Sequence, residues 1–316
     1  MTTANYLESL QNDLNTIVNT LELDEGSNFS DIAQMTTEGE ISKGGGSEYT
    51  GHYDATGLAQ LGWTSDDINY YQDNGVYWNA EQDNDYKVTN NEIQGTAGTR
   101  TRFIPKNSTL TTFRNYYALI GIPALNINKQ DWSETFRGCY CLITIPLLST
   151  GNATTMQSMF NNCSNLKKVP LLNTSNVTTM QNMFTSCSSL LTIPLFNTSK
   201  LTSMRSMFSN CYALRSIPLI DTSRVTNMYY CFQNCYGLTS IPELNTSSVT
   251  EMGGMFSYCY NLSDESLNNI LKMCINATSY TGTKTLSTIG IDSTTYSNRI
   301  TSLSNYNDFI NAGWQA

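Results

Sequence analysis

Between residues 156 and 262, apolar side chains recur at fixed distances through a polar background. The set Met156, Met159, Phe160, Cys163, Leu166, Val169 and Pro170 returns 24 residues later as Met180, Met183, Phe184, Cys187, Leu190, Ile193 and Pro194. It returns again as Met204, Met207, Phe208, Cys211, Leu214, Ile217 and Pro218, then as Met228, Cys231, Phe232, Cys235, Leu238, Ile241 and Pro242. A fifth copy, Met252, Met255, Phe256, Cys259 and Leu262, lacks the Ile-Pro pair. Two looser copies come first: Phe113, Tyr116, Leu119, Ile122 and Pro123, then Trp132, Phe136, Cys139, Leu142, Ile145 and Pro146. A fixed period of this size means stacked units, none of which buries its apolar face alone.

Each unit divides into three parts. The run from Leu190 to Leu195 is short, apolar and β-branched, which predicts one short strand. Its proline cannot donate to a ladder, so the strand must be very short and parallel. The following Asn-Thr-Ser, with Asn173, Asn197 and Asn245 and with Asp221 in the fourth copy, is turn chemistry. From Val177 to Phe184 the apolar positions 177, 180, 183 and 184 suit one or two helical turns facing the strand layer. A strand, a turn and a short helix per period is the leucine-rich-repeat plan. The predicted fold class is therefore α+β, a solenoid of about seven 23–24-residue coils over 107–262.

Outside the repeats the periodicity changes. Leu7, Leu10, Leu14, Ile17 and Leu21 are spaced 3, 4, 3 and 4, an a/d seam on an amphipathic helix. A helix this short does not hold itself in water, so the seam meets the protein's own body, another copy or a docking partner. Residues 1–43 are read as an oligomerisation or attachment helix and linker. Gly44, Gly45 and Gly46 make a flexible joint. Residues 44–106 are read as a small helical module and the loop leading into the repeats, with Ser65 as N-cap and Asp66 and Asp67 in the first turn. After the last repeat, Ser263 opens a helix with Leu267, Ile270, Leu271 and Cys274 on one face. Residues 263–316 are the expected C-terminal cap, and the stretch from Ile289 to Trp314 echoes the module around Gly57 to Gly75.

The phrase from Asn173 to Cys187, Asn-Thr-Ser-x-Val-Thr-x-Met-x-x-Met-Phe-x-x-Cys, resembles the BspA-like branch of leucine-rich repeats. The resemblance covers roughly residues 113–262. That family is common in surface proteins of Bacteroides, treponemes and mycoplasmas and in phages of gut bacteria. The resemblance implies an adhesion or binding scaffold and brings no catalytic residues with it.

Composition removes several classes. Charged residues make up 14% and the net charge is −9, a poor match to a phosphate backbone, so no nucleic-acid partner is expected. No apolar run reaches the ~18 residues of a membrane span, and the amino terminus lacks the basic and apolar regions of a signal peptide. Six of nine cysteines (139, 163, 187, 211, 235 and 259) share one repeat position, where a ladder of small buried hydrophobes is expected, reduced as in a cytoplasm. Cys231 and Cys235 have no histidine nearby to complete a zinc set. His52 is the single histidine and stands beside the glycine joint, a poor place for a rigid catalytic site. Glu81, Asp83, Asn84 and Asp85 lack the glycine and distal glutamate of a calcium loop. No enzyme activity, cofactor or metal is expected.

Tyr140, Tyr212, Tyr236 and Tyr260 each follow a ladder cysteine, where two other copies carry serine. Such a row either binds a protein or glycan or stacks between coils. Adhesin-like repeats, no export signal and reduced thiols together suggest a protein assembled inside a bacterial host and released on a virion. The reading is a phage structural protein of the head-fibre or decoration type. It would self-associate as a trimer or dimer and attach to other virion proteins through Leu7, Leu10, Leu14, Ile17 and Leu21, leaving the tyrosines for a host-surface protein or glycan. The alternatives are a tail-associated receptor binder and a bacterial surface adhesion protein.

Overall fold

A computed structural model describes residues 64–72, 88–89, 92–93, 103–104, 108, 110–291 and 293–316. The seam at Leu7 to Leu21, the glycine joint, His52 and the cluster at Glu81 to Asp85 lie outside the described residues. The described helices are α1 (Ser65–Gln72), α2 (Asp264–Asn276), α3 (Ser293–Ile300) and α4 (Tyr306–Asn311). Two short strands, β1 (Val88–Thr89) and β2 (Glu92–Ile93), pair antiparallel.

The repeats stack as the period requires. Phe113, Phe136, Phe160, Phe184, Phe208, Phe232 and Phe256 are all buried, and successive rings lie 5.3–5.7 Å apart with planes within 15°. The methionines, ladder cysteines and Leu166, Leu190, Leu214 and Leu238 fill the same core. Buried Thr174, Thr198 and Thr222 each donate a hydroxyl to the next coil's carbonyl, at Asn197, Asp221 and Asn245 (2.7–2.8 Å). The Asn-Thr-Ser turn therefore serves twice. Its first residue caps the turn locally, as Asn197 Oδ1 accepts from the Ser199 amide, while its threonine ties adjacent coils.

The helical turns predicted from Val177 to Phe184 do not form. The amides of Met180, Asn182, Phe184 and Ser186 donate to Ser203, Arg205, Met207 and Ser209 of the following coil, at 2.8–3.2 Å. The intervening amides of Met183, Thr185 and Cys187 turn back to Met180, Asn182 and Phe184. An α-helix would spend every amide on the fourth residue before it. Here Asn182 and Ser186 have φ of 56° and 62°, and Ser206, Asn210, Tyr230 and Asn234 repeat this in later coils. A left-handed residue at every fourth place breaks the helix and frees alternate amides for the neighbour.

The strand prediction is corrected in the same way. Parallel bridges run through Asp131, Thr155, Thr179, Ser203, Asn227 and Glu251, mostly the residue before each methionine, with others at Phe103–Gly121, Ser216–Ser240 and Thr285–Gln315. The Leu190–Leu195 run is no ladder strand, and Pro194 has no amide to give. Leu191 does donate to Lys167, and Arg215 to Leu191 (both 3.3 Å).

Both ends of the stack are tied down. Thr64, not Ser65, caps α1: its hydroxyl accepts from the Asp67 amide while Asp67 Oδ2 accepts from the Thr64 amide and hydroxyl. The Tyr71 hydroxyl, also on α1, bridges the amide and carbonyl of Ile122, both at 2.8 Å. At the other end the Gly254 and Phe256 amides donate to Thr288 and Ile289. Helix α2, capped by Ser263, buries Leu267, Ile270, Leu271, Met273 and Cys274. Tyr296 on α3 donates to the Cys259 carbonyl and accepts from the Leu262 amide.

Candidate binding surface

Stacking turns each outward repeat position into a file running along the solenoid. The cysteine file faces inward. Each thiol donates to the phenylalanine carbonyl of the preceding coil, from Cys139 on Phe113 to Cys259 on Phe232, at 3.0–3.1 Å. Burial pushes these thiols up, Cys259 to about 12, so they stay neutral and unreactive. They are hydrophobic fillers that also satisfy a buried carbonyl, a role that spacing alone did not reveal.

The tyrosine file is in register but interrupted. Backbone bonds link Tyr117, Tyr140, Ser164, Ser188, Tyr212 and Tyr236 as successive rungs, for example Asn165 to Tyr140 at 3.1 Å and Gly237 to Tyr212 at 2.9 Å. A Cβ at Gly237 would come within 2.8 Å of the Tyr212 carbonyl, a closeness the other coils relieve at Asn165, Ser189 and Ala213. Tyr212 stacks on Tyr236 at 5.2 Å and Tyr236 on Tyr260 at 6.2 Å. Tyr140 stands apart from these three and pairs with Tyr117 at 5.3 Å. Tyr117 was missed by the sequence reading, though it stands 23 residues before Tyr140, as Phe113 does before Phe136. The rings pack between coils and still remain 43–46% exposed at Tyr140, Tyr212, Tyr236 and Tyr260.

A second file was not anticipated. Leu147, Leu171, Leu195 and Leu219 each follow the repeat proline and are 60–66% exposed. Their neighbours Leu148, Leu172, Phe196 and Ile220 are buried, so the extended chain alternates out and in. Ala124 precedes the file and Glu243 follows it at the same repeat position. Exposed Leu191 widens it at 48%, and exposed Lys167, Lys168 and Arg215 stand on that side. Among the described residues none of these three bases forms an ion pair. The opposite margin is Asn173, Asn197 and Asp221. The Ser223 amide and hydroxyl hold the Asp221 carboxyl below the usual carboxylate range. Four leucines in one file thus stand more than half exposed, and exposed apolar patches are where folded proteins commonly meet partners.

Among the described residues no group of three His, Cys, Asp or Glu side chains is placed to hold a metal ion, and no helix is long and apolar enough to cross a membrane.

The model of a Mycoplasma protein family of unknown function, DUF285, matches residues 130–236 and 213–285. The two matches overlap over 213–236, one repeat period. A comparison with curated proteins finds no match. Among solved structures, a leucine rich cell surface protein from Faecalibacterium prausnitzii is 21% identical, with 46% of this chain and 36% of that chain covered and a TM-score of 0.29. A leucine rich repeat protein from T. pallidum is 19% identical, with 48% and 81% covered and a TM-score of 0.32. Its own backbone makes this chain a repeat solenoid, and over the repeats it is similar to the DUF285 family.

Proposed function

We propose that this protein is a non-enzymatic interaction scaffold of the surface-adhesion kind, a leucine-rich-repeat solenoid of about seven coils that displays its outward files to a partner. One observation carries the reading: Leu147, Leu171, Leu195 and Leu219 form a continuous exposed apolar file across four coils. The interrupted tyrosine file adds aromatic surface with polar tips, the residue type that anchors protein contacts. The head-fibre and tail readings draw on the seam from Leu7 to Leu21, and no feature of the described residues favours them over adhesion at a surface.

The test uses beads coated with the full chain and layered on epithelial-cell and extracellular-matrix preparations. Changing Leu171 and Leu195 to Asp should lower adherence about tenfold or more while the melting temperature stays within a few degrees, because both side chains already face water. Unchanged adherence in that variant, and in Tyr212→Ser with Tyr236→Ser, defeats the proposal.

A further inference from the structure

We infer that the leucine file receives an acidic amphipathic α-helix that presents one aliphatic side chain per turn. The inference rests on the interaction-scaffold reading and names the partner's chemistry. Spacing decides the partner's secondary structure. The stacked phenylalanines inside the solenoid step by 5.3–5.7 Å, and the Tyr117–Tyr140, Tyr212–Tyr236 and Tyr236–Tyr260 pairs on its surface by 5.3, 5.2 and 6.2 Å. The leucines belong to the same coils, one to a coil, so we take the coil stacking step as their spacing too. A helix repeats every ~5.4 Å, so a helix lying along the file meets each leucine with one of its own turns. An extended strand returns a side chain to the same face only every ~6.6 Å and falls out of register within two or three contacts. Polyproline II repeats only every ~9.3 Å.

Charge decides the flank. The chain as a whole carries −9, yet Lys167, Lys168 and Arg215 stand exposed on one side of the file and, among the described residues, form no ion pair. Lys168 is three residues from Leu171 and Arg215 four from Leu219. At ~3.3 Å per extended residue that is about 10–13 Å, the width of one helix. Glutamates on that flank of a docked helix would meet all three bases. Leu191 lies between the rungs of Lys167 and Arg215 and supplies a further apolar contact at mid-length. The other margin, Asn173, Asn197 and Asp221, offers a basic flank only one carboxylate.

Three labelled synthetic peptides of about 18 residues, five turns, test this against the intact chain by fluorescence anisotropy. The first carries leucine once per turn and glutamate on both flanks. The second replaces each glutamate by lysine, and the third keeps the first composition with two central prolines. The first should bind about tenfold or more tighter than either of the others. Lys167→Glu with Lys168→Glu should reverse the preference between the first two. Leu171→Asp with Leu195→Asp should abolish binding, and Leu171→Asn with Leu195→Asn serves if the aspartates disturb folding. The inference is overturned if the first peptide fails to bind, if the proline peptide binds equally, or if the leucine variants bind normally. It is also overturned if light scattering shows that the file already holds a second copy of this chain. Loss of bead adherence in the leucine variants without peptide binding removes this inference alone. Adherence retained both in the leucine variants and in Tyr212→Ser with Tyr236→Ser removes the scaffold reading as well.

Discussion

Cys211 is joined to two neighbours at once. Its amide donates to Phe208 within its own coil and its thiol to Phe184 in the coil before, both at 3.1 Å. The buried thiol is worth keeping neutral, and burial raises its pKa, as it does for Cys163, Cys187 and Cys235. In the unfolded chain the same groups ionise near the ordinary value of about 8.5. Because the folded value is the higher one, the stabilisation is complete below about pH 8.5 and is lost as pH rises towards the folded values. The melting temperature should therefore fall steadily from about pH 8.5 to 11, and less so in Cys211→Ala. A thiol reagent at neutral pH should modify half-buried Cys141 first and reach the other eight only on unfolding. Disulfides found by mass spectrometry among the ladder positions would overturn this account.

Within one coil, the element that matters is the run of turns ending at the cysteine. Asn210 has φ of 62°, and its Oδ1 accepts from Asn234 Nδ2 at 2.6 Å. Asn210→Gly and Asn210→Val both delete that bond, so the difference between them isolates the backbone. Valine should be less stable than glycine there by about 1–2 kcal/mol in denaturant midpoints, and equal midpoints would mean the left-handed turn is dispensable. The same residues mark where the sequence was legible. Met180, Met183, Phe184 and Cys187 could be placed inside because a 24-residue period admits little else. Their local geometry could not, because spacings of 3 and 4 fit a helix and a chain of alternating turns alike. The distinguishing letters were Asn182 and Ser186, and Ser206 and Asn210, small polar residues at every fourth place. Tyr212, Tyr236 and Tyr260 were legible as a file for the same periodic reason. Leu195 was not, because an apolar run read as a short strand does not say which side chain faces water, and only the out-and-in alternation with Phe196 turns it to solvent.

Across the whole molecule the alternate amides of each run point the same way, towards the later coil. These runs thus have a donor end and an acceptor end, while the bonds at Thr178, Asn165 and Leu191 run the opposite way, so the two ends differ and the caps cannot be exchanged. At the donor end Thr288 and Ile289 supply the carbonyls, and Gly290, at φ 88°, lets that strap approach: a Cβ there would stand 2.3 Å from the Ser257 amide. Gly290→Ala should cost about 1–3 kcal/mol and expose the last coil first. Hydrogen exchange should show protection lost at Met252–Leu262 while Met156–Leu190 keeps it, and uniform loss would mean the coils unfold as one body. A solenoid with two unlike ends and identical joints between them is also a template for duplication. A 24-residue segment copied in frame inside the repeats meets the same donors above and the same acceptors below, and leaves both caps their partners. Recombination can therefore lengthen this protein by one rung and one leucine at a time, and the reach of its contact surface is a quantity that inheritance sets by counting.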